Sequence, residues 1–503
     1  MIKAYQNIES NEVYANHYLY NEYKQIPLEK RLCLAALARK WQNTGPLENK
    51  QVLLNGHLTL STLILIDILL LSKAKVTVTN TPELSVQTQQ LQLLAQAGIL
   101  YIPSHALSKE KNKFDIIFDC AAGLLKDVIP TIGMVELTKT DPALYQNINF
   151  PVISVDDSKL KSIETFAGTG DGFVRALKQH QKSFIQYQIG EYEKLLQSES
   201  ENYKSLDLSE INTTDSDEEI KNKQNQTENE LALIYQRMMF FESEIKNKVT
   251  YLEKIDIELF TKNIYVIFGY GKVGRGIAYS LLMKKSEVLA PHVKPLQIII
   301  IDIQADACEQ AKKDGYMALQ LSDENNIDLI KSYLKEAFCV VTATGKINCI
   351  SHYFDAKDFP ITTLKINMGT PDEWGYKFKT SEILNLKKPF NFILEYPTDV
   401  AFLDPIFTAL LEAGADLNIN KYQPGLIPLT ESIDKKILQL WKHNYPKLAN
   451  CLSDIQYINT ARYKENYLNQ LGKMKAKIFS FNKNSRKIKK GKDILFATDT
   501  NTN

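Results

Sequence analysis

Ile264-Tyr-Val-Ile-Phe268 runs directly into Gly269-Tyr-Gly271-Lys-Val-Gly274-Arg-Gly276, and a helical pattern follows from Ile277-Ala278. An unbroken apolar run of this length reads as a buried strand. The spacing G-x-G-x-x-G then falls at the strand-to-helix turn where a dinucleotide fold requires it. Gly269 permits the tight turn, Gly271 lets backbone approach a pyrophosphate, and Gly274 lets helix and strand pack closely. Exposed N–H groups at the helix start and the helix dipole attract phosphates. Lys272 and Val273, which complete the loop, count with the three glycines as candidate cofactor-binding residues.

Moving outward, the next strand, Gln297-Ile-Ile-Ile-Ile301, ends in Asp302. A carboxylate there accepts hydrogen bonds from both ribose hydroxyls and repels a 2′-phosphate, which predicts NAD rather than NADP as the cofactor. Leu289 to Pro295 lengthen the interval between loop and acid as an extended turn.

The first half alternates in the same way. Val52-Leu53-Leu54, Val76 to Thr79, Ile99 to Ile102, Ile116 to Phe118 and Pro151 to Val155 read as short buried strands. Thr59 to Leu71, Glu83 to Ala97 and a stretch from about Asp171 read as helices. Short apolar strands separated by helices imply a parallel sheet covered on both faces. The expected class is therefore α/β: two parallel-sheet domains, the second an NAD-binding Rossmann domain, with a helical or disordered insertion between them. The expected boundaries are 1–180 for a substrate-type domain completed by 395–445, 181–258 for the insertion, 259–394 for the Rossmann domain, and 446–503 for a helical extension with a basic tail. Residues 195–230 contain few apolar positions, so a disordered centre is expected there.

Composition excludes several classes. The 503 residues are 44% hydrophobic and 24% charged, and 60 basic residues nearly cancel 59 acidic ones. No global field recruits nucleic acid or anionic lipid. Six cysteines are scattered without the close pairs of a zinc or redox site, so free thiols in a reducing cytoplasm and no metal are expected. The N-terminus lacks a signal-peptide pattern. The most apolar run, Leu58 to Leu71, contains Asp67 and falls short of the roughly 20 residues that span a bilayer, which makes it a buried helix.

Beyond the loop, several segments resemble adenosylhomocysteinase. Gly269-Tyr-Gly-Lys-Val-Gly-Arg-Gly276 is similar to that family's glycine loop, and Asp302 to Tyr316 to its ribose-binding strand and following helix. Val341-Thr-Ala-Thr344-Gly345 resembles the turn that lies against the cofactor, which adds Thr344 and Gly345 to the candidates. Lys365-Ile-Asn-Met-Gly369 resembles the strand ending that follows. In the first half, Gly56-His57-Leu-Thr59, Val135-Glu136-Leu-Thr138-Lys-Thr140 and the stretch Ser154 to Ser162 are similar to family segments in the same order. The resemblance covers about residues 50–175 and 260–395.

It implies a hydrolase in which NAD oxidises the ribose 3′-hydroxyl of adenosylhomocysteine, homocysteine is eliminated, water adds, and the hydride returns. By position it implies His57 as acid/base, Glu136 as a ribose ligand, Lys161 as the oxidation partner and Thr59 as a substrate contact. The family's paired aspartates before a double glycine are Asp119-Cys120 before Ala121-Ala122 here, so Asp119 serves as a catalytic carboxylate only if the register slips. The acid and amide after the lysine are Thr165 and Phe166, and the later histidine is Thr370. The segments that hold nicotinamide and adenosine are absent from Tyr396 to Pro405.

Three readings follow. The first is an enzyme using bound NAD for internal redox chemistry on adenosylhomocysteine, a nucleoside or another hydroxylated molecule. The second is a non-catalytic NAD-binding regulatory or interaction protein. The third is a dehydrogenase exchanging free NAD, with His352 or His443 in its site. The partners expected are a nucleoside-type small molecule and another copy of the chain, with no nucleic acid and no membrane.

Overall fold

The computed structural model describes residues 5–7, 12–108, 113–138, 142–145, 147–206, 216–261, 263–287 and 296–449. The Leu289–Pro295 turn and nearly all of the 446–503 extension lie outside the described residues.

A short pair, β1 (Tyr5–Asn7) and β2 (Glu12–Tyr14), opens the chain. The first domain is then built on β3 (Gln51–Asn55), β4 (Lys75–Thr79), β5 (Leu100–Tyr101), β6 (Phe114–Asp119), β7 (Pro130–Glu136) and β8 (Pro151–Ser154). The second uses β9 (Ile264–Phe268), β10 (Gln297–Asp302), β11 (Met317–Gln320), β12 (Cys339–Thr342) and β13 (Leu364–Asn367). A late strand, β14 (Gly425–Pro428), returns to the first sheet beside β8.

Both sheets are wholly parallel and doubly wound. The first has the order β14-β8-β7-β6-β3-β4-β5 and the second β11-β10-β9-β12-β13. The winding reverses between β3 and β6 in one, and between β9 and β12 in the other. Such reversals open a crevice beyond the strands' carboxyl ends, where α/β sheets bind ligands. The residues at these two points are Asn55 and Asp119 in the first sheet, and Gly269 and Ala343 in the second.

The apolar run becomes the helix Leu60–Leu71, in which every residue but Leu70 is buried. Among the described residues no helix is long and apolar enough to cross a membrane. Its one charge, Asp67, is fully enclosed and accepts the N–H groups of Ala15 (3.1 Å) and Asn16 (2.8 Å) and the hydroxyl of Tyr23 (2.8 Å). Asn16 in turn caps the helix His17–Tyr23. A single buried carboxyl thus fastens the N-terminal segment to the core helix.

The insertion is more ordered than its composition suggests. Helices Thr169–Ser205 and Asp217–Glu253 pair antiparallel through Arg237–Glu199, Lys248–Gln188 and the ring of Tyr192 against Phe240 and Phe241. Of the disordered centre expected over 195–230, residues 195–205 and 217–230 are instead helical, and 207–215 lie outside the described residues. Scarcity of apolar residues bars a segment from a core but not from a helix. Here the Ser216–Glu219 capping box and side-chain pairs one turn apart, such as Gln226–Glu230, support the backbone.

The first long helix also passes residue 180 without a break. Its root, Phe173 to Leu177, belongs to the second domain's core with Leu259, Tyr265 and Ile277. Helix Val400–Ile419 packs in the core of the first domain. The two domains therefore share chain at two crossings, and those crossings frame the site.

Candidate functional site

The glycine turn takes the geometry its composition permits. Gly269 has φ +94°, and a side chain there would meet the Ala343 carbonyl. A Cβ on Gly274 would collide with the Gly269 carbonyl oxygen, whereas nothing lies within 4 Å of the Cβ position of Gly271. The helix starts at Lys272, earlier than the Ile277 expected from the apolar pattern, so Val273 and Gly274 lie in its first turn. Only Gly269, Tyr270 and Gly271 lie between the strand and the helix.

Asp302 lies beside this turn. Its Oδ2 accepts the Tyr270 N–H at 2.7 Å and its Oδ1 the Gln304 N–H at 2.9 Å. The carboxylate is held at the mouth of the crevice with a lone pair to spare on each oxygen. Asp302→Ala is expected to weaken dinucleotide binding by about 1–3 kcal/mol, because ribose hydroxyls lose their acceptor. Isothermal titration checks this, and an unchanged affinity contradicts the assignment.

Thr344 and Gly345 are placed differently from the expectation. Both N–H groups donate to the buried carboxylate of Glu373, at 2.9 and 2.6 Å, and the Thr344 hydroxyl is within 3.2 Å of the Cys349 thiol. The turn lies at the crevice, but its amides are already used by the chain itself. Burial pushes the Glu373 carboxyl above the usual carboxylate range, and these N–H groups oppose that rise.

Between the domains lies a cavity of about 220 Å³. That is far more than the roughly 10–15 Å³ needed for one water. From the first domain it is lined by His57, Thr59, Asp119, Cys120, Thr138 and Lys161. Val273, Met368 and Thr370 face it from the second domain, and Asn391 and Phe392 from the connecting strap. Four of the sequence candidates, His57, Thr59, Asp119 and Lys161, thus meet on one wall, opposite the first turn of the glycine helix.

Lys161 is 2% exposed. Its Nζ donates to the Thr138 hydroxyl at 2.9 Å and lies 2.8 Å from Glu164 Oε2. Burial alone lowers an ammonium pKa, but Glu164 and Asp156 outweigh it and hold Lys161 protonated. Glu164 was not singled out by the sequence. Its Oε2 is buried and makes the ion contact without forming a hydrogen bond of good geometry. The signal was the i, i+3 spacing from Lys161.

Beyond it the helix widens into a π turn over Ile163–Gly168. Such turns add a residue to the helix and recur at functional sites.

His57 has a fixed tautomer. Its Nδ1 accepts the Ser85 N–H at 3.0 Å, which leaves the proton of the neutral ring on Nε2. Burial, aided by Lys161, lowers its pKa to about 4. The ring packs on Phe392 with centroids 4.7 Å apart. Near neutral pH His57 is a hydrogen-bond donor rather than a base. It does not cap the following helix, which begins after Thr59.

The two carboxylates have settled partners. Asp119 accepts from Asn55 Nδ2 (2.7 Å), Cys120 N (2.9 Å) and Leu124 N (3.0 Å). Glu136 is fully buried behind the wall and accepts from Thr138 N, Ala122 N and the Tyr145 hydroxyl. Burial raises both above the usual carboxylate range, and the charge of Asp119 adds to the rise at Glu136. Glu136 is not on the cavity wall. The Cys120 thiol is pushed up to about 12 by burial and by Glu136, so it stays protonated and cannot act as a base. His352 hydrogen-bonds the Asn348 carbonyl, and neither it nor His443 lines the cavity.

Ala121 and Ala122 have φ +62° and +55°, a conformation normally left to glycine. Their strained turn aims the Ala122 N–H at Glu136. Ala122→Gly is expected to stabilise the chain by about 1 kcal/mol, since the left-handed region costs an L-residue that much. A denaturant midpoint that falls instead contradicts this.

The fold and site define a two-domain α/β protein whose second domain is a Rossmann-type nucleotide-binding domain. Residues 265–349 match the TrkA-N domain family. No curated protein matches the chain's sequence. Among solved structures, the chain is similar to one of the subunits of dipicolinate synthase from Bacillus halodurans, at 9% identity and TM-score 0.35, covering 72% of this chain and 99% of that one. It is also similar to D-mandelate dehydrogenase from Rhodotorula graminis, at 10% identity and TM-score 0.28, covering 79% and 94%.

Proposed function

We propose that the chain holds NAD in its second domain and uses it as an internal redox cofactor on a nucleoside or similar hydroxylated molecule bound in the cavity. The observation that carries this is the buried Lys161–Glu164 pair on a wall facing Val273 of the glycine turn. Open space over Gly271 and an Asp302 carboxylate fixed beside the glycine turn support a dinucleotide in this crevice. NAD, when bound, supplies the hydride acceptor.

Oxidising a hydroxyl carbon releases a proton from oxygen along with the hydride from carbon. Lys161 carries its full complement of protons and cannot take another, but its ammonium can donate to the substrate oxygen and stabilise the charge that develops there. The Glu164 carboxylate is the acceptor for that proton. His57 Nε2–H donates to a second oxygen, and Asp119 and Glu136 hold the wall in shape.

Adenosylhomocysteine and adenosine are the first substrates to offer. The resemblance implies them, and the left-handed alanines stand where it places paired glycines, which supports the register. A second reading, a regulatory NAD-binding protein, is favoured by Cys120, a protonated thiol where a catalytic carboxylate is expected. Protein loaded with NAD is expected to show reduced-nicotinamide absorbance when adenosine or adenosylhomocysteine is added. No signal with any nucleoside or sugar favours the second reading.

A further inference from the structure

We infer that Lys272 ties the pyrophosphate of the bound dinucleotide to the turn that begins the Lys161 helix, and so couples nucleotide binding to the placement of the Lys161–Glu164 pair. This rests on the dinucleotide reading above.

Lys272 is the first residue of helix Lys272–Glu287 and follows Gly271, over which space is open. Its side chain leaves its own domain. Nζ donates to the Asp156 carbonyl at 3.2 Å, in the turn after β8. That turn sets the reactive helix. Ser158 Oγ accepts the Lys161 N–H at 3.1 Å and donates to the Val155 carbonyl at 2.7 Å, and the charge of Asp156 acts on Lys161. One ammonium therefore stands between the phosphate-binding turn and the start of the helix that carries the proposed chemistry.

The position favours an anionic partner. A cation in the first turn adds to the positive end of the helix dipole. The Asp156 carbonyl takes one of its three N–H groups, and the exposed ammonium keeps donors for an anion. A pyrophosphate over Gly271 would meet both the helix N-terminus and the remaining donors of Lys272. The two helices are also in backbone contact, since a Cβ on Gly170 would strike the Gly276 carbonyl and one on Gly276 the Phe166 carbonyl. Phe166 and Tyr279 pack beside them with centroids 5.4 Å apart. Because the two backbones touch at these glycines, movement at the phosphate turn passes to the Lys161 helix.

The test uses the full chain with ADP-ribose and NAD as probes, by titration calorimetry at low and high salt and by hydrogen exchange over residues 155–162. Lys272→Met is expected to weaken ADP-ribose and NAD binding about tenfold, the scale of one charge-assisted hydrogen bond. It is also expected to flatten the salt dependence and abolish ligand-induced protection of 155–162, and Lys272→Arg restores all three. Wild-type affinity, salt slope and protection in Lys272→Met overturn the inference while leaving the dinucleotide reading intact. If the wild-type chain binds neither probe, both fall.

Discussion

Glu164→Gln is expected to slow reduction of bound NAD by about 10²–10⁴-fold, the usual worth of a positioned general base, with dinucleotide affinity unchanged. The substitution keeps the size of the side chain and its reach towards Lys161. What it removes is the negative charge that holds Lys161 protonated, and with it a carboxylate oxygen on this wall that lacks a settled set of hydrogen-bond donors. Glu136 cannot stand in, because it lies buried behind the wall, and three N–H donors of the chain hold Asp119 in place. Nor can Cys120, whose thiol stays protonated. Single-turnover kinetics read the effect. A Glu164→Gln variant that reduces NAD at the wild-type rate would remove Glu164 from the mechanism.

Asp67→Ala is expected to destabilise the first domain by on the order of 3–5 kcal/mol, because several buried donors lose their one acceptor. The donors are the N–H groups of Ala15 and Asn16 and the Tyr23 hydroxyl, and without them the segment through Tyr23 loses its tie to helix Leu60–Leu71. Asp67→Asn provides the control. Burial raises the Asp67 carboxyl from 3.8 to about 7, so the folded chain holds a proton that the unfolded chain releases. Its contribution is full below about pH 4 and is lost as pH rises towards 7. Asparagine has the shape of the protonated acid and no charge to release. Asp67→Asn is therefore expected to match the wild type in acid and to exceed it above pH 7. Urea unfolding across that range measures both, and a wild-type midpoint in Asp67→Ala contradicts the fastening role.

Much of the architecture was legible because burial on both faces leaves a plain mark. β3 and β10 are built on runs of Val, Leu and Ile, β9 adds Tyr265 and Phe268 to them, and helix Leu60–Leu71 is apolar on nearly every side. Asp67, lone in that run, was visible as an exception before its partners were known. β11 and β14 were not legible. Met317-Ala-Leu-Gln320 and Gly425-Leu-Ile-Pro428 are short edge strands, and β14 is made a strand by pairing with β8, far away in sequence.

The insertion misled in part: low apolar content hid the helical character of 195–205 and 217–230, which capping and side-chain pairs support. In the site, residue types at aligned positions found His57, Thr59, Asp119 and Lys161, because each is fixed at a strand end or a helix start. They missed Glu164. A linear comparison looks for the acid four residues after the lysine, at Thr165, whereas the helix brings the residue three along back to the same face.

In the proposed reaction, hydride passes from a substrate carbon to a nicotinamide held by the glycine turn, inside the cavity between the domains. The most direct measurement is mass spectrometry of the dinucleotide released from protein that has been incubated with adenosine deuterated at C3′. Reduced NAD carrying the deuterium is the expected result. Recovery of dinucleotide without label, or of no dinucleotide from NAD-treated protein, contradicts it.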